Sequence, residues 1–299
     1  MAPEETPMLR GELRLDEPMA RHTTWHVGGP ADRYYRPADR DDLAVFLAGL
    51  PAGEPLYWCG LGSNLLVRDG GLRGTVIFLQ PGLTGLEIRA SHQLWVEAGV
   101  ACAKAARHAA RNGLVGAEFL AGIPGTMGGA LAMNAGAFGG ETWDVVAWVE
   151  TVDRAGTIHR RPAREYRVGY RQVTPPVEEW YLGAMLQLRS GDGDAAMQRI
   201  RALLSQRAAT QPIGKPSCGS VFRNPEGDHA ARLIEASALK GCRIGGALVS
   251  EKHANFILND GGASARDIER LIAHVGETVE RLQGVRLQPE VLVIGEESP

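Results

Sequence analysis

The sequence predicts an α+β fold with a mixed sheet, divided into at least two domains and built to hold a phosphate-bearing cofactor. Three observations predict it. Short β-rich runs alternate with helical stretches from Arg33 to Val152; the composition turns polar and flexible around Gly191-Asp192-Gly193-Asp194; and glycine is packed densely between Gly122 and Gly140.

Leu56 to Cys59, Leu65 to Val67, Thr75 to Leu79 and Leu94 to Ala98 are rich in branched and aromatic residues and bounded by glycine, the pattern of strands. Between them Asp41 to Leu50 and Val100 to Asn112 read as helices, the second stopped by Gly113. Val145 to Val152 and Thr157 to Arg160 flank Asp153-Arg154-Ala155-Gly156, a hairpin turn, and Trp180 to Leu188 is a further strand. Beyond Asp192 come a helix over Ala195 to Ala208, a loop over Thr210 to Pro225 and a helix over His229 to Ala238. Ser264 with Asp267 three residues on opens the last helix, whose Ile268, Leu271, Ile272, Val275, Val279 and Leu282 share one face before Gly284. Val291 to Ile294 is the closing strand.

At 299 residues the chain can bury a sizeable core, and 44% hydrophobic with 22% charged residues is ordinary globular composition. Acidic residues (35) nearly balance basic ones (32), and no Lys/Arg block is long enough to track a phosphate backbone, so nucleic acid is a poor partner. Met1 to Asp16 does not read as a signal peptide, and no apolar run approaches the roughly 18 residues that span a bilayer. Cys59, Cys102, Cys218 and Cys242 lie far apart with no CxxC pair, as expected of free thiols in a cytoplasmic protein. His22, His92 and His274 show no metal-ligand spacing, and no metal site is expected.

Two glycine loops carry the chemical signal. Gly60-Leu61-Gly62-Ser63-Asn64 follows a strand, but Leu65-Leu66-Val67 continues as β structure where a dinucleotide loop would open a helix. Gly214-Lys215-Pro216-Ser217 does not fit a phosphate-binding GxxxxGK[ST] loop. The second loop runs from Gly122-Ile123-Pro124-Gly125-Thr126-Met127-Gly128-Gly129 to Asn134-Ala135-Gly136-Ala137-Phe138-Gly139-Gly140. Glycine lets backbone N–H groups approach a diphosphate without an intervening Cβ. Tight turns and close packing would call for glycine as well.

At these residues the chain resembles the UDP-N-acetylenolpyruvoylglucosamine reductases. The resemblance rests on seven motifs in order: Thr24 to Gly29, Gly60 to Asn64, Gly122 to Glu141, Gly169-Tyr170-Arg171, Gly219 to Pro225, Ser250 to Phe256, and Gln288 to Val291. The short Arg171 to Trp180 segment is similar to the branch that lacks an extra substrate-covering tyrosine loop. Phe138, Val173, Thr210 and Gln288 depart from the family's usual residues, and none of them removes a catalytic residue. The resemblance implies a vanillyl-alcohol-oxidase-type FAD-binding fold of two subdomains plus a C-terminal α+β substrate-binding domain. On this chain the parts would be an extension over 1–20, an FAD-binding domain over 21–192 (subdomains about 21–80 and 81–192) and a substrate domain over 193–299.

It further implies non-covalent FAD on Gly60, Gly62, Ser63, Asn64, Ile123, Pro124, Gly125, Gly128, Gly129 and Gly136, with NADPH as hydride donor. The substrate would be a nucleotide sugar, reduced at an enolpyruvyl double bond in peptidoglycan precursor synthesis. Hydride addition to the terminal carbon drives negative charge onto the next carbon and its carboxylate, so a cation and a proton source are required there. The resemblance gives these roles to Arg171 at the carboxylate, Glu290 beside it and Ser220 as proton donor, with Tyr170, Asn224, Lys252, His253 and Asn255 as substrate contacts. Two other readings stay open from the residues: a different FAD-dependent alcohol or sugar oxidoreductase of the same fold, or a non-catalytic nucleotide-sugar-binding protein.

Overall fold

A computed structural model describes residues 9–89 and 92–298. The expectations for the first eight residues lie outside that range. The chain forms two compact units: residues 1–14, 33–60 and 75–204 make the first, and 15–32, 61–74 and 205–299 the second. The helix Gly193–Thr210 runs through the division, so the composition change at Asp192 marks the start of a helix and the units part twelve residues later. Residues 61–74 belong to the second unit for a reason composition does not carry. Strand Leu65–Val67 pairs in parallel with Leu292–Ile294, a partner some 230 residues away. The expected extension over 1–20 likewise contains a strand, Glu12–Pro18.

The first unit holds helices α1 (Arg40–Ala48), α2 (Cys102–Arg111) and α3 (Met127–Met133). Its larger sheet is antiparallel with strand order 158–162, 146–152, 180–187, 93–97 and 86–89. Leu94, Val96, Val149, Ala184 and Leu186 from that sheet join the small face of α2 (Cys102, Ala105, Ala106, Ala109) in one core. A second core gathers Leu43, Phe46 and Leu47 of α1 with Tyr35, Ile77, Leu79 and Leu182. Here strand Leu56–Cys59 runs parallel to Thr75–Phe78 and ends at Gly60. The start of α1 is fixed by Asp39, whose carboxylate accepts from the N–H groups of Asp41 and Asp42.

The second unit is built on α5 (Ala230–Ala236), α6 (Ala265–Gln283) and a three-stranded sheet of 243–244, 247–249 and 257–259, where α4 denotes Gly193–Thr210. The capping box foreseen at α6 is present: Ser264 Oγ accepts from Asp267 N at 3.0 Å and the Asp267 carboxylate accepts from Ser264 N at 3.1 Å. Ile268, Leu271, Ile272, Val275 and Val279 are buried, but Leu282, the last of the expected stripe, is 51% exposed. Buried Trp25 ties the amino-terminal segment of this unit to its sheet by donating from Nε1 to the Ile257 carbonyl at 2.7 Å. All four cysteines are free thiols; burial pushes the Cys102 thiol up to about 12. Among the described residues no helix is long and apolar enough to cross a membrane, and no cluster of His, Cys, Asp and Glu could hold a metal ion.

Candidate active site

The glycines of the two loops divide into those that let the chain pack and those that leave room. Gly62 lies against the His22 carbonyl, with Thr24 N donating to its own carbonyl at 3.2 Å, so a Cβ there would strike backbone. Gly122 faces the Phe138 ring, and Gly136 has the Gly140 carbonyl 2.7 Å from where its Cβ would be. Gly128 donates its N–H to the Ala98 carbonyl at 2.8 Å and Ile123 donates to Leu120 at 3.1 Å. Those two amides are therefore spent inside the first unit, which corrects the expectation that Gly128 and Ile123 offer backbone donors to a diphosphate. Pro124 has no N–H to offer, and Ser63 is half-buried.

Gly60 and Gly129 both face Thr126. A Cβ on Gly60 would collide with Thr126 Oγ1, while Gly129 is exposed and has only that same hydroxyl, 3.9 Å away, near its missing Cβ. Thr126 is 2% exposed, and its hydroxyl has no hydrogen-bond partner within the protein. A buried, unsatisfied hydroxyl costs about 1–3 kcal/mol, and here it lies against Gly60, which has no room for a Cβ, and near Gly129, whose side-chain space is clear. A bound acceptor-rich group such as the phosphate of a flavin dinucleotide satisfies it. On this observation Gly60, Thr126 and Gly129 would fit a phosphate of FAD in the first unit. Thr126 was quoted in the glycine motif but not picked out; a polar residue in an otherwise apolar, glycine-rich run was the available signal.

Arg171 stands at the tip of the hairpin of strands Arg167–Gly169 and Gln172–Thr174, which Gly169 opposite Gln172 closes over Tyr170 and Arg171. Its φ of 53° is left-handed, a conformation that costs a non-glycine residue about 1–2 kcal/mol. Such strain persists where neighbouring structure enforces it. Its guanidinium donates to the Gly136 carbonyl at 3.2 Å, with a longer 3.5 Å approach to the Asn134 carbonyl, and lies over the Tyr170 ring at 5.3 Å. Tyr170 is 50% exposed, open to a ligand. Gly136 thus serves Arg171 through its carbonyl, which sequence reasoning had assigned to the cofactor.

In the second unit, Ser220 follows Gly219, whose φ is 83°, and precedes a segment held on both sides. Phe222 bridges antiparallel to Pro289, Glu290 N donates to the Val221 carbonyl at 2.7 Å, and Arg223 N donates to Gln288 at 2.9 Å. The backbone that follows Ser220 therefore runs beside residues 288–290. Asn64 joins them: its Nδ2 donates to the Glu290 carbonyl at 3.1 Å, and its own carbonyl accepts from Leu292 N at 3.0 Å. The Cys218 thiol is pushed well up by burial and, secondarily, by the Glu290 charge.

Several expected substrate contacts are occupied elsewhere. Asn255 is 2% exposed; its Oδ1 accepts from Phe222 N at 2.9 Å and its Nδ2 donates to the Phe222 carbonyl at 2.8 Å. It clasps the backbone two residues after Ser220 and is a positioning residue, not a substrate contact. Asn224 accepts from Ala230 N at 3.1 Å at the head of α5. Lys252 donates from Nζ to the Ala208 carbonyl at 2.5 Å. His253 packs edge-on to Phe256 at 4.8 Å, and burial holds it below the ordinary histidine range, so it is a neutral ring and a poor cation for a diphosphate.

The comparisons with known proteins agree with this division of labour. Residues 31–161 match the family model of an FAD binding domain, and residues 211–294 match that of the UDP-N-acetylenolpyruvoylglucosamine reductase C-terminal domain. The UDP-N-acetylenolpyruvoylglucosamine reductase of Alkalilimnicola ehrlichii is 62% identical over 99% of this chain and 99% of its own. That of Nitrosococcus oceani is 60% identical over 96% and 97%. The crystal structure of the Thermus caldophilus UDP-N-acetylenolpyruvylglucosamine reductase superposes with a TM-score of 0.82 at 34% identity, covering 96% of this chain and 99% of that one. An FAD-binding portion followed by a reductase C-terminal domain, in a chain of mixed α and β structure, is the expected order. With identity of this order along nearly its whole length, the chain belongs to the UDP-N-acetylenolpyruvoylglucosamine reductase family of FAD-dependent oxidoreductases.

Proposed function

We propose that the protein reduces the enolpyruvyl double bond of UDP-N-acetylglucosamine enolpyruvate to give UDP-N-acetylmuramate, with NADPH as the hydride donor, as a cytoplasmic step of peptidoglycan precursor synthesis. The observation that carries the reading is the pairing of the Ser220 segment with Glu290 through the Glu290 N to Val221 carbonyl hydrogen bond. That hydrogen bond sets the backbone of Glu290 beside the residue that follows Ser220.

FAD, when bound, supplies the two-electron relay from NADPH to the substrate. The protein supplies the rest. One hydride and one proton add across the carbon–carbon double bond, and NADPH leaves as NADP⁺. Arg171 pairs its planar guanidinium with the substrate carboxylate, where negative charge accumulates as hydride reaches the terminal carbon. Ser220 delivers its hydroxyl proton to the neighbouring carbon; a hydroxyl is a weak acid, but the enolate-like carbon is strongly basic and the serine is held in place. Glu290 assists at the same substrate carboxylate. FAD is held non-covalently by the cradle around Thr126.

Ser220→Ala tests the assignment. The variant is expected to keep its yellow colour, bind the sugar nucleotide and consume NADPH once, without completing reduction of the substrate. Wild-type turnover by Ser220→Ala would remove Ser220 from the proton-donor role.

A further inference from the structure

Asn134 is one of the most heavily used side chains of the first unit and has no part in the reaction as described above. It ends α3 in the left-handed conformation, φ 47°, and is 1% exposed. Asparagine is among the few non-glycine residues that adopt this backbone at low cost. Its amide is engaged on three sides: Nδ2 donates to Glu141 Oε2 at 2.7 Å and to the Gly169 carbonyl at 3.1 Å, while Oδ1 accepts from Trp143 N at 3.1 Å. Gly169 is the last hairpin residue before Tyr170 and Arg171. In the other direction the Arg171 guanidinium reaches the carbonyls of Gly136 and, at 3.5 Å, of Asn134 itself.

The glycine loop and the Arg171 hairpin therefore hold each other, through the Arg171 guanidinium in one direction and the Asn134 amide in the other. We propose that Asn134 is a positioning residue for Arg171: its amide fixes the hairpin through Gly169, and Glu141 fixes the amide. This rests on the role given to Arg171 under the proposed function. Misplacing a group that stabilises a transition state by about 1 Å can cost about 100-fold in rate. Losing the Gly169 anchor is thus expected to lower kcat/KM by about 10- to 100-fold with the cofactor cradle intact.

Asn134→Gly keeps the left-handed backbone and deletes the amide. It is measured in the FAD-loaded enzyme alone and combined with Arg171→Ala, following kcat/KM, flavin absorbance and thermal stability. If Asn134 works through Arg171, the loss caused by Asn134→Gly largely vanishes in the Arg171→Ala background. Flavin content stays at the wild-type level. Full additivity of the two losses, or wild-type kcat/KM in Asn134→Gly, overturns the proposal. An Arg171→Ala enzyme with wild-type turnover overturns instead the reading of Arg171, whatever Asn134 does. Should Asn134→Gly fail to fold, Glu141→Ala removes the acceptor at Nδ2 and leaves the Asn134 backbone in place. It is then expected to lose about threefold to tenfold in kcat/KM, again only when Arg171 is present, and an equal loss without Arg171 rejects the proposal.

Discussion

Replacing Asn255 tests how the Ser220 segment is built. In Asn255→Ala the Phe222 N–H and carbonyl both lose their partner, and Phe222 is 3% exposed, so water does not replace it freely. Each unsatisfied buried group costs about 1–3 kcal/mol, giving a loss of about 2–6 kcal/mol, of the order of the whole stability of a small domain. Asn255→Asp is more discriminating. A protonated carboxyl accepts from Phe222 N and donates to the Phe222 carbonyl as the amide does; the ionised form sets a buried charge against that carbonyl. The folded-state pKa is therefore raised above the unfolded value of about 3.9. A group with a raised folded pKa leaves stability intact below the unfolded pKa and removes it as pH climbs toward the folded one. For a three-unit rise the deficit reaches about 4 kcal/mol. The assay is urea unfolding of wild type and both variants from pH 4 to pH 8. A constant deficit for Asn255→Asp across that range, or an Asn255→Ala within about 0.5 kcal/mol of wild type, refutes the argument.

Two further outcomes follow from the first unit. Gly60→Ala pushes a methyl group into Thr126 Oγ1 and is expected to lower flavin content and raise the FAD dissociation constant at least about tenfold, equivalent to about 1.4 kcal/mol; unchanged flavin absorbance after desalting would remove Gly60 from the cradle. Asp42 is buried, which pulls its pKa up, but hydrogen bonds from Tyr35 and from the Arg10 and Ala38 N–H groups outweigh burial and hold it below the ordinary range. Its contribution is therefore present above the unfolded pKa and lost as pH falls through the lower folded value. Asp42→Asn should be less stable than wild type at pH 7, and the gap should begin to narrow near about pH 4 and close only below the depressed folded value, as read by thermal melts.

Much of the architecture was legible because local signals and tertiary structure agree. The α6 capping box, the stripe from Ile268 to Val279 and the hairpin after Val152 are short-range features, and each stands where the sequence put it. The parallel pairing of Leu65–Val67 with Leu292–Ile294 was not legible, since nothing in either run names so distant a partner. That pairing moves residues 61–74 out of the unit that holds Gly60. The glycine run was not legible in its parts, because a glycine needed for packing and one with open space beside it look alike in sequence; only the neighbours of each missing Cβ separate Gly60, Gly122 and Gly136 from Gly129. Asn255 misled for a related reason. An asparagine beside a lysine and a histidine suggests ligand contacts, and burial against Phe222 reverses that. Asn134 left a faint signal, asparagine directly after a short helix and before Ala-Gly, the chemistry of a left-handed helix end.

The central claim is that this chain is an FAD enzyme that reduces an enolpyruvyl sugar nucleotide. It is tested most directly by adding UDP-N-acetylglucosamine enolpyruvate to the flavin-loaded protein with NADPH while following nicotinamide oxidation and the sugar product together. The account predicts substrate-dependent oxidation with one UDP-N-acetylmuramate formed per NADPH consumed. NADPH oxidation that is indifferent to the sugar nucleotide, or absent from a fully flavinylated preparation, would contradict it.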